Sequence, residues 1–151
     1  MNNFKKVLSL LLVAFFALIL VGCGGNDAEK AAQQEIEENL EQLYVTGLED
    51  ALNDLALPKY FKGDKKKTIT WESDSDSLVI TEYDDGDDNK NMFFKGKIVL
   101  KKEGHNFKLT ATLKYEYEEG KFVSGTKEFK GNVVADEWAD NNYETIAAAK
   151  S

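Results

Sequence analysis

Apolar and polar residues follow three different patterns along the chain. Residues 7–21 are apolar with the single exception of Ser9, which is typical of a segment that is apolar on every face. From residue 28 to residue 57 the apolar positions recur at intervals of three and four, and this period predicts an amphipathic helix. Beyond Pro58 the period falls to two, which predicts β-strands with one buried and one solvated face.

The amphipathic helix is predicted to begin at Ala28, after a flexible spacer at residues 24–27. Its first third has almost no apolar stripe, so we expect a solvated stalk there. Gly47 weakens the helix midway, which leaves two shorter pieces as an alternative, and Pro58 ends any helix at Leu57 at the latest. Because the stripe is short, a helix that spaces the domain or packs on it is favoured over a partner-binding helix. The stripe consists of Ile36, Leu40, Leu43, Gly47 or Leu48, Ala51 and Leu55.

Five or six short strands are predicted after the helix. The clearest runs from Phe107 to Tyr117, where apolar residues alternate with Lys, Thr and Glu; others are predicted at residues 69–71, 78–83, 94–100 and 122–134. Glycine-containing turns separate several of them, at Asp85-Gly86, Glu103-Gly104 and Glu119-Gly120. Strands without a helical pattern between them predict a mainly β fold, most simply an antiparallel β-sandwich of two sheets.

The N-terminal apolar run has the features of a secretory signal. Two lysines precede it, and as a helix it would span about 22 Å, which is less than the roughly 30 Å core of a bilayer. The run ends in Leu20-Val21-Gly22-Cys23, which resembles the lipobox of bacterial lipoproteins. The resemblance implies that residues 1–22 are a signal peptide cut before Cys23 and that a diacylglyceryl group is attached to the Cys23 sulfur.

The charge balance bears on how such an anchor works. The chain has 27 acidic residues, 19 lysines and no arginine, for a formal net charge of −8. Removal of residues 1–22 takes away Lys5 and Lys6, so 17 lysines remain against 27 acidic residues, a net charge of −10. Anionic lipid repels such a body, so acyl chains are expected to hold it on the extracytoplasmic side of the bacterial cell membrane. An acidic chain without arginine is also a poor binder of nucleic acid.

Three segments of the body follow the order of a known pattern: Leu55-Ala56-Leu57-Pro58, residues 68–74 (Thr-Ile-Thr-Trp-Glu-Ser-Asp) and residues 107–113 (Phe-Lys-Leu-Thr-Ala-Thr-Leu). Over roughly residues 48–134 the chain resembles the atrophied bacterial Ig domains, a family of immunoglobulin-like repeats. The resemblance implies an Ig-like β-sandwich with Trp71 as its core tryptophan and an accessory, non-catalytic role. Leu109 and Leu113 are the other predicted core residues, and burial of Trp71 is favoured over a ligand-stacking role.

The densest charge in the chain is an acidic turn at residues 84–89. Carboxylates are hard oxygen ligands of the kind that Ca²⁺ prefers, but the turn lacks the spacing of an EF-hand and its glutamate at the twelfth position. A solvated turn is therefore favoured over a calcium site, and no metal or cofactor is expected. The weak calcium candidates are Asp84, Asp85, Asp87 and Asp88.

No arrangement of catalytic residues is predicted, so we expect that the protein is not an enzyme. His105, the single histidine, follows Gly104 in a predicted turn, and the chain has neither a nucleophile elbow nor a glycine-rich phosphate loop. The tail contains Trp138 and Tyr143, which are expected to fold back on the sandwich rather than form an exposed aromatic patch. A short helix is predicted from about Asp140.

The sequence thus predicts a membrane-anchored lipoprotein with four parts: a signal peptide at 1–22, a lipidated cysteine, spacer and helical stalk at 23–47, an Ig-like sandwich at 48–134 and a tail at 135–151. Its expected work is non-catalytic binding or spacing at the cell surface, with a protein or a glycan as partner. Two alternatives stay open. One is a solute- or calcium-binding lipoprotein that uses residues 84–89, and the other is an inhibitor or immunity-type lipoprotein that binds one protein through its loops and Trp138.

Overall fold

One helix and seven strands form residues 26–137, the part of the chain that the computed structural model describes. They are α1 (Asp27–Gln42), β1 (Leu55–Pro58), β2 (Tyr60–Phe61), β3 (Asp64–Ser73), β4 (Leu78–Glu82), β5 (Phe93–Ile98), β6 (His105–Glu118) and β7 (Lys121–Val133). The predicted signal peptide, the lipidation site Cys23 and the predictions for Trp138, Tyr143 and the helix from Asp140 lie outside the described residues.

The strands pair in two antiparallel sheets. The three-stranded sheet has the order β1-β5-β4, and the four-stranded sheet has the order β2-β3-β6-β7. β6 and β7 form one long hairpin, closed by Glu119-Gly120, in which a positive φ of 73° at Gly120 suits a residue without a side chain. The mainly β architecture that the alternating pattern predicts is therefore confirmed, in the form of two antiparallel sheets with one helix.

One hydrophobic core joins both sheets and the helix. The odd-numbered residues of β6 from Phe107 to Leu113 are buried, and the register with β3 and β7 places Trp71 and Phe129 on the same face. The opposite face of this sheet is polar, with Thr70 opposite Thr112 across β3 and β6. Within the described residues, one face of the four-stranded sheet is thus covered, and a helix and a smaller sheet share the covering.

The predicted helix is present but ends earlier than the apolar stripe indicated. It stops at Gln42, and Leu55, the last residue assigned to the stripe, begins strand β1. Gly47 and Asp50 have positive φ values of 78° and 49°, which no α-helix accommodates. The stripe was misread because Leu55 and Leu57 are two residues apart and fit a strand as well as a helix.

The helix packs on the sheet instead of standing free. Ile36 and Leu40 are buried completely or almost so, and a Cβ built on Gly125 of β7 would lie 2.9 Å from Ile36 Cγ2 and 2.7 Å from Leu40 Cδ1. Only glycine admits so close an approach of helix and strand. The expectation that the first third of the helix is solvated is wrong at Ala32, which is buried. Alanine has a side chain of one methyl group, so it contributes too little hydrophobicity to be recognised as part of an apolar stripe.

Two further expectations about the strands are corrected. The described residues contain seven strands instead of five or six. His105 is the first residue of β6 and not part of a turn. The additional strands are β1 and β2, short segments that were assigned to no strand from the sequence. His105 belongs to β6 because the β6–β7 pairing extends over nearly the whole hairpin, from His105 opposite Val133 to Glu118 opposite Lys121.

Candidate functional site

The acidic turn joins β4 to β5 and is ordered by local hydrogen bonds. The Asp87 amide donates to the Asp84 carbonyl at 3.1 Å, and the Asn89 amide donates to Asp87 Oδ1 at 2.8 Å. Lys90 forms an ion pair with Asp85. Among residues 26–137, no group of three or more His, Cys, Asp and Glu side chains is placed to hold a metal ion. The four weak calcium candidates are all exposed: Asp84, Asp85, Asp87 and Asp88.

We expect calorimetric titration with CaCl₂ to give the same small heats for the wild type and for an Asp87→Asn, Asp88→Asn double variant. Ca²⁺ takes roughly six to eight oxygen ligands at about 2.3–2.6 Å, whereas this turn holds Asp85 in an ion pair with Lys90 and does not gather the other carboxylates. A saturable heat in the wild type that the double variant loses would contradict this expectation.

A second polar cluster lies where the β3–β4 loop meets the β5–β6 loop. Lys101 Nζ is 2.5 Å from Asp76 Oδ1, and the hydrogen bond and charge of Lys101 hold the pKa of Asp76 below its ordinary value. His105 acts on this pKa in the same direction but more weakly. Nearby Ser77 is fully buried, and its Oγ has no hydrogen-bond partner among the described residues. The cluster offers an ion pair and no nucleophile with an adjacent base.

Trp71 lies between the two sheets and is only 6% exposed. Its Nε1 donates a hydrogen bond of 2.8 Å to the carbonyl of Pro58, the last residue of β1. Its ring is tilted against that of Phe129, with 5.9 Å between the centroids. Leu109 and Leu113 are completely buried in the same core. The indole therefore has its polar atom satisfied and its ring enclosed, which leaves no face for a ligand to stack on.

Lys127 is a buried cation that the sequence reading missed. It is 2% exposed and occupies an inward position of β7, where its Nζ caps the end of α1. The ammonium donates hydrogen bonds to three carbonyls there: Leu40 at 2.7 Å, Glu41 at 3.1 Å and Leu43 at 2.7 Å. The last turn of α1 has no basic residue of its own, so Lys127 supplies the positive charge that favours a helix C-terminus.

Two features of the environment of Lys127 shift its pKa in opposite directions. Burial lowers the pKa of the Lys127 ammonium below its ordinary value, and the nearby charge of Glu41 opposes that shift.

The sequence does contain a pattern that could have identified Lys127 as buried. Val123, Gly125 and Phe129 are inward by the period of two, so Lys127 interrupts an inner face that is otherwise apolar or small. Because a buried charge is costly unless it is hydrogen-bonded, a lysine at such a position predicts a buried hydrogen-bond acceptor nearby.

Large apolar side chains that are exposed mark where the described surface is least polar. Phe122, the second residue of β7, is 47% exposed, and Lys114 Nζ lies 3.9 Å from the centroid of its ring. The others lie on separate elements and loops: Tyr44, Leu52, Val79 and Met92. Phe122 is thus an exposed aromatic residue at one end of the molecule.

Comparison of the chain with known protein families, with curated proteins and with solved structures finds no match in any of the three. Within residues 26–137, no helix combines the length and the apolar character needed to cross a bilayer.

Proposed function

We propose that the protein is a lipoprotein anchored on the extracytoplasmic side of a bacterial cell membrane, and that its body binds or spaces without catalysis. The observation that carries this proposal is the segment Leu20-Val21-Gly22-Cys23, placed directly after a positive start and an apolar run of signal length. Charge, apolar run, small residues and a thiol occur in the order that lipid attachment requires. The chain has no other cysteine.

The geometry of the body supports a short anchor. α1 begins at Asp27, four residues after Cys23, and it is docked on the four-stranded sheet through Ile36 and Leu40. A lipid attached at Cys23 would therefore hold a folded body close to the bilayer, because the intervening chain is too short to let it swing far away.

We further propose that the body is an Ig-like accessory module. In immunoglobulin sandwiches one sheet contains strands B, E and D, the other contains C, F and G, and a buried tryptophan lies on strand C. The orders β1-β5-β4 and β3-β6-β7 correspond to B-E-D and C-F-G, and Trp71 lies on β3. This agreement supports the assignment. The helix, and the extra strand β2 beside β3, are additions to that scheme.

A partner of such a module is proposed to be a protein or a glycan of the cell envelope. The described residues present an exposed polar sheet face and several loops with ion pairs, among them that of Asp76 with Lys101. Surfaces of this kind are suited to weak polar recognition, and no nucleic acid is expected because the body is acidic and lacks arginine.

We expect Cys23→Ser to abolish lipid labelling and to leave the chain uncleaved or mislocalised. Serine removes the only thiol, so no thioether to the diacylglyceryl group can form. The measurement is metabolic labelling with palmitate, intact mass of the mature chain and membrane fractionation. Ser9→Ala, which keeps the apolar run and residues 20–23 intact, is the matched control and is expected to behave as the wild type. A wild-type chain that starts at another residue, or that has no acyl mass, would refute the anchor.

A further inference from the structure

We infer that the anchored molecule stands with the β6–β7 turn against the lipid bilayer, so that the turn and Phe122 form a membrane-contacting surface. This inference rests on the proposed lipidation of Cys23. The occupant of the surface is the bilayer itself, and three features of the structure and the chain lead to it: the direction of α1, the level at which α1 begins, and the length of chain between α1 and Cys23.

α1 runs in the same direction as β7. The end of the helix lies at Lys127, whose Nζ binds the carbonyls of Leu40, Glu41 and Leu43. Ile36 and Leu40 contact the strand two residues earlier, at Gly125. The hydrogen bond and charge of Glu118 raise the pKa of Lys121, and the charge of Glu29, near the start of the helix, adds to this shift. Earlier helix residues thus lie beside earlier strand residues.

The first turn of α1 is level with the β6–β7 turn. From Leu40 back to Asp27 the helix rises about 20 Å at roughly 1.5 Å per residue. From Gly125 back to Gly120 the strand covers about 17 Å at roughly 3.4 Å per residue. Leu40 and Gly125 are in contact and so lie at one level. Because the two distances measured from them differ by only a few ångströms, Asp27 and Gly120 also lie at nearly the same level.

The chain between the helix and the lipid is too short to lift this end away from the bilayer. Three residue steps separate Cys23 from Asn26, the residue that precedes α1. Fully extended, they span at most about 11 Å, at up to roughly 3.6 Å per residue. The β6–β7 turn, level with the helix start, is therefore held about as close to the headgroups as the tether allows.

The side chains at this end suit contact with headgroups. Phe122 is exposed, and aromatic or aliphatic side chains of this kind insert at the boundary of headgroups and acyl chains. Lys121 neutralises Glu118 in an ion pair, and the Glu116 carboxylate accepts a hydrogen bond from the Gly120 amide. Internal partners for two of the carboxylates reduce the repulsion that an acidic turn would meet at an anionic surface.

The opposite end of the molecule is far enough away for a clear test. β6 has 14 residues, a length of about 44 Å at roughly 3.4 Å per residue. The loop that contains Asp76 lies at the end where β6 begins. Asp76 forms an ion pair with Lys101, and the charge of His105, the first residue of β6, acts on the pKa of Asp76. Residues of this loop are predicted to stay tens of ångströms from the bilayer.

The test uses the full chain, lipidated in cells and reconstituted in vesicles of phosphatidylglycerol and phosphatidylethanolamine. Because acylation blocks the only native thiol, Glu119→Cys and Asp76→Cys each provide a single site for a maleimide dye. A nitroxide on the lipid headgroup serves as quencher. We expect at least threefold stronger quenching at residue 119 than at residue 76. Adding Phe122→Ser should lower the quenching at residue 119, whereas Val79→Ser, which also removes an exposed apolar side chain, should leave it unchanged.

The two proposals fail in different ways in this experiment. If the protein floats with vesicles and has the acyl mass but quenching is equal at both sites or stronger at residue 76, the orientation is refuted and the anchor stands. If the protein lacks the acyl mass and does not float with vesicles, the anchor is refuted and the orientation with it. Circular dichroism of each variant checks that the fold is intact.

Discussion

Replacing Trp71 by alanine is expected to destabilise the protein by about 3–5 kcal/mol, the usual cost of removing a large buried aromatic side chain. The indole lies between the two sheets, where it packs on Phe129 and donates a hydrogen bond to the Pro58 carbonyl. Its removal leaves a cavity and an unpaired carbonyl between the sheets. Against a total of about 5–15 kcal/mol for a domain, this is a large share of the stability.

The measurement is urea denaturation followed by far-ultraviolet circular dichroism, because Trp138 complicates tryptophan fluorescence. Thr70→Ala is the matched control: it changes the adjacent residue of β3, whose side chain is exposed on the opposite face, and should shift stability by less than about 0.5 kcal/mol. Trp71→Phe removes the Pro58 hydrogen bond and leaves part of the ring volume, so an intermediate loss is expected. A Trp71→Ala variant within 1 kcal/mol of the wild type, roughly the error of such measurements, would show that the ring is not a core residue.

Replacing Lys127 by methionine is expected to cost about 2–4 kcal/mol and to loosen the last turn of α1. Methionine has a similar length, so the main loss is three charge-assisted hydrogen bonds, and each buried acceptor left without a partner costs about 1–3 kcal/mol before relaxation and solvent entry. Because α1 has no basic residue in its last turn, nothing in the helix itself replaces the ammonium.

Two measurements separate this role from simple packing. Hydrogen exchange followed by mass spectrometry should show faster exchange in α1 of Lys127→Met while β3 and β6 keep their protection, since local opening of one element leaves the others folded. Lys130→Met, a change of the same chemistry at an exposed position of the same strand, should leave both exchange and stability near wild-type values. Equal exchange in α1 of the wild type and Lys127→Met would contradict the capping role.

The half-buried strands were the part of the fold that the sequence predicted best. In β6 the residues from Phe107 to Leu113 alternate strictly, and the alternation survives in the structure because one face of the sheet is covered and the other is wet. The number of strands was predicted less well. Strands were predicted at residues 107–117 and 122–134, close to the observed β6 and β7, but β1 and β2, with four and two residues, were assigned to no strand.

The acidic turn and Lys127 also differ in how well the sequence predicted them. The acidic turn was predicted from local composition, and its ion pair and turn hydrogen bonds are also local, since they join residues within five positions of each other. Lys127 escaped notice because its acceptors are 84 to 87 residues away in the sequence. Periodicity indicates that a residue faces inward, but it does not indicate which distant segment of the chain packs against it.

By itself, the sequence determined the placement of alternating residues on two faces of each strand and the order of charge, apolar run and thiol on which the proposed anchor depends. Both are local properties, set by backbone geometry and by the short segment that a processing enzyme reads. Only the tertiary structure decided that α1 packs on the inner face, that Gly125 admits it and that Lys127 caps it. Those contacts join residues far apart in the chain, so their energies exist only once the sheet and the helix have met.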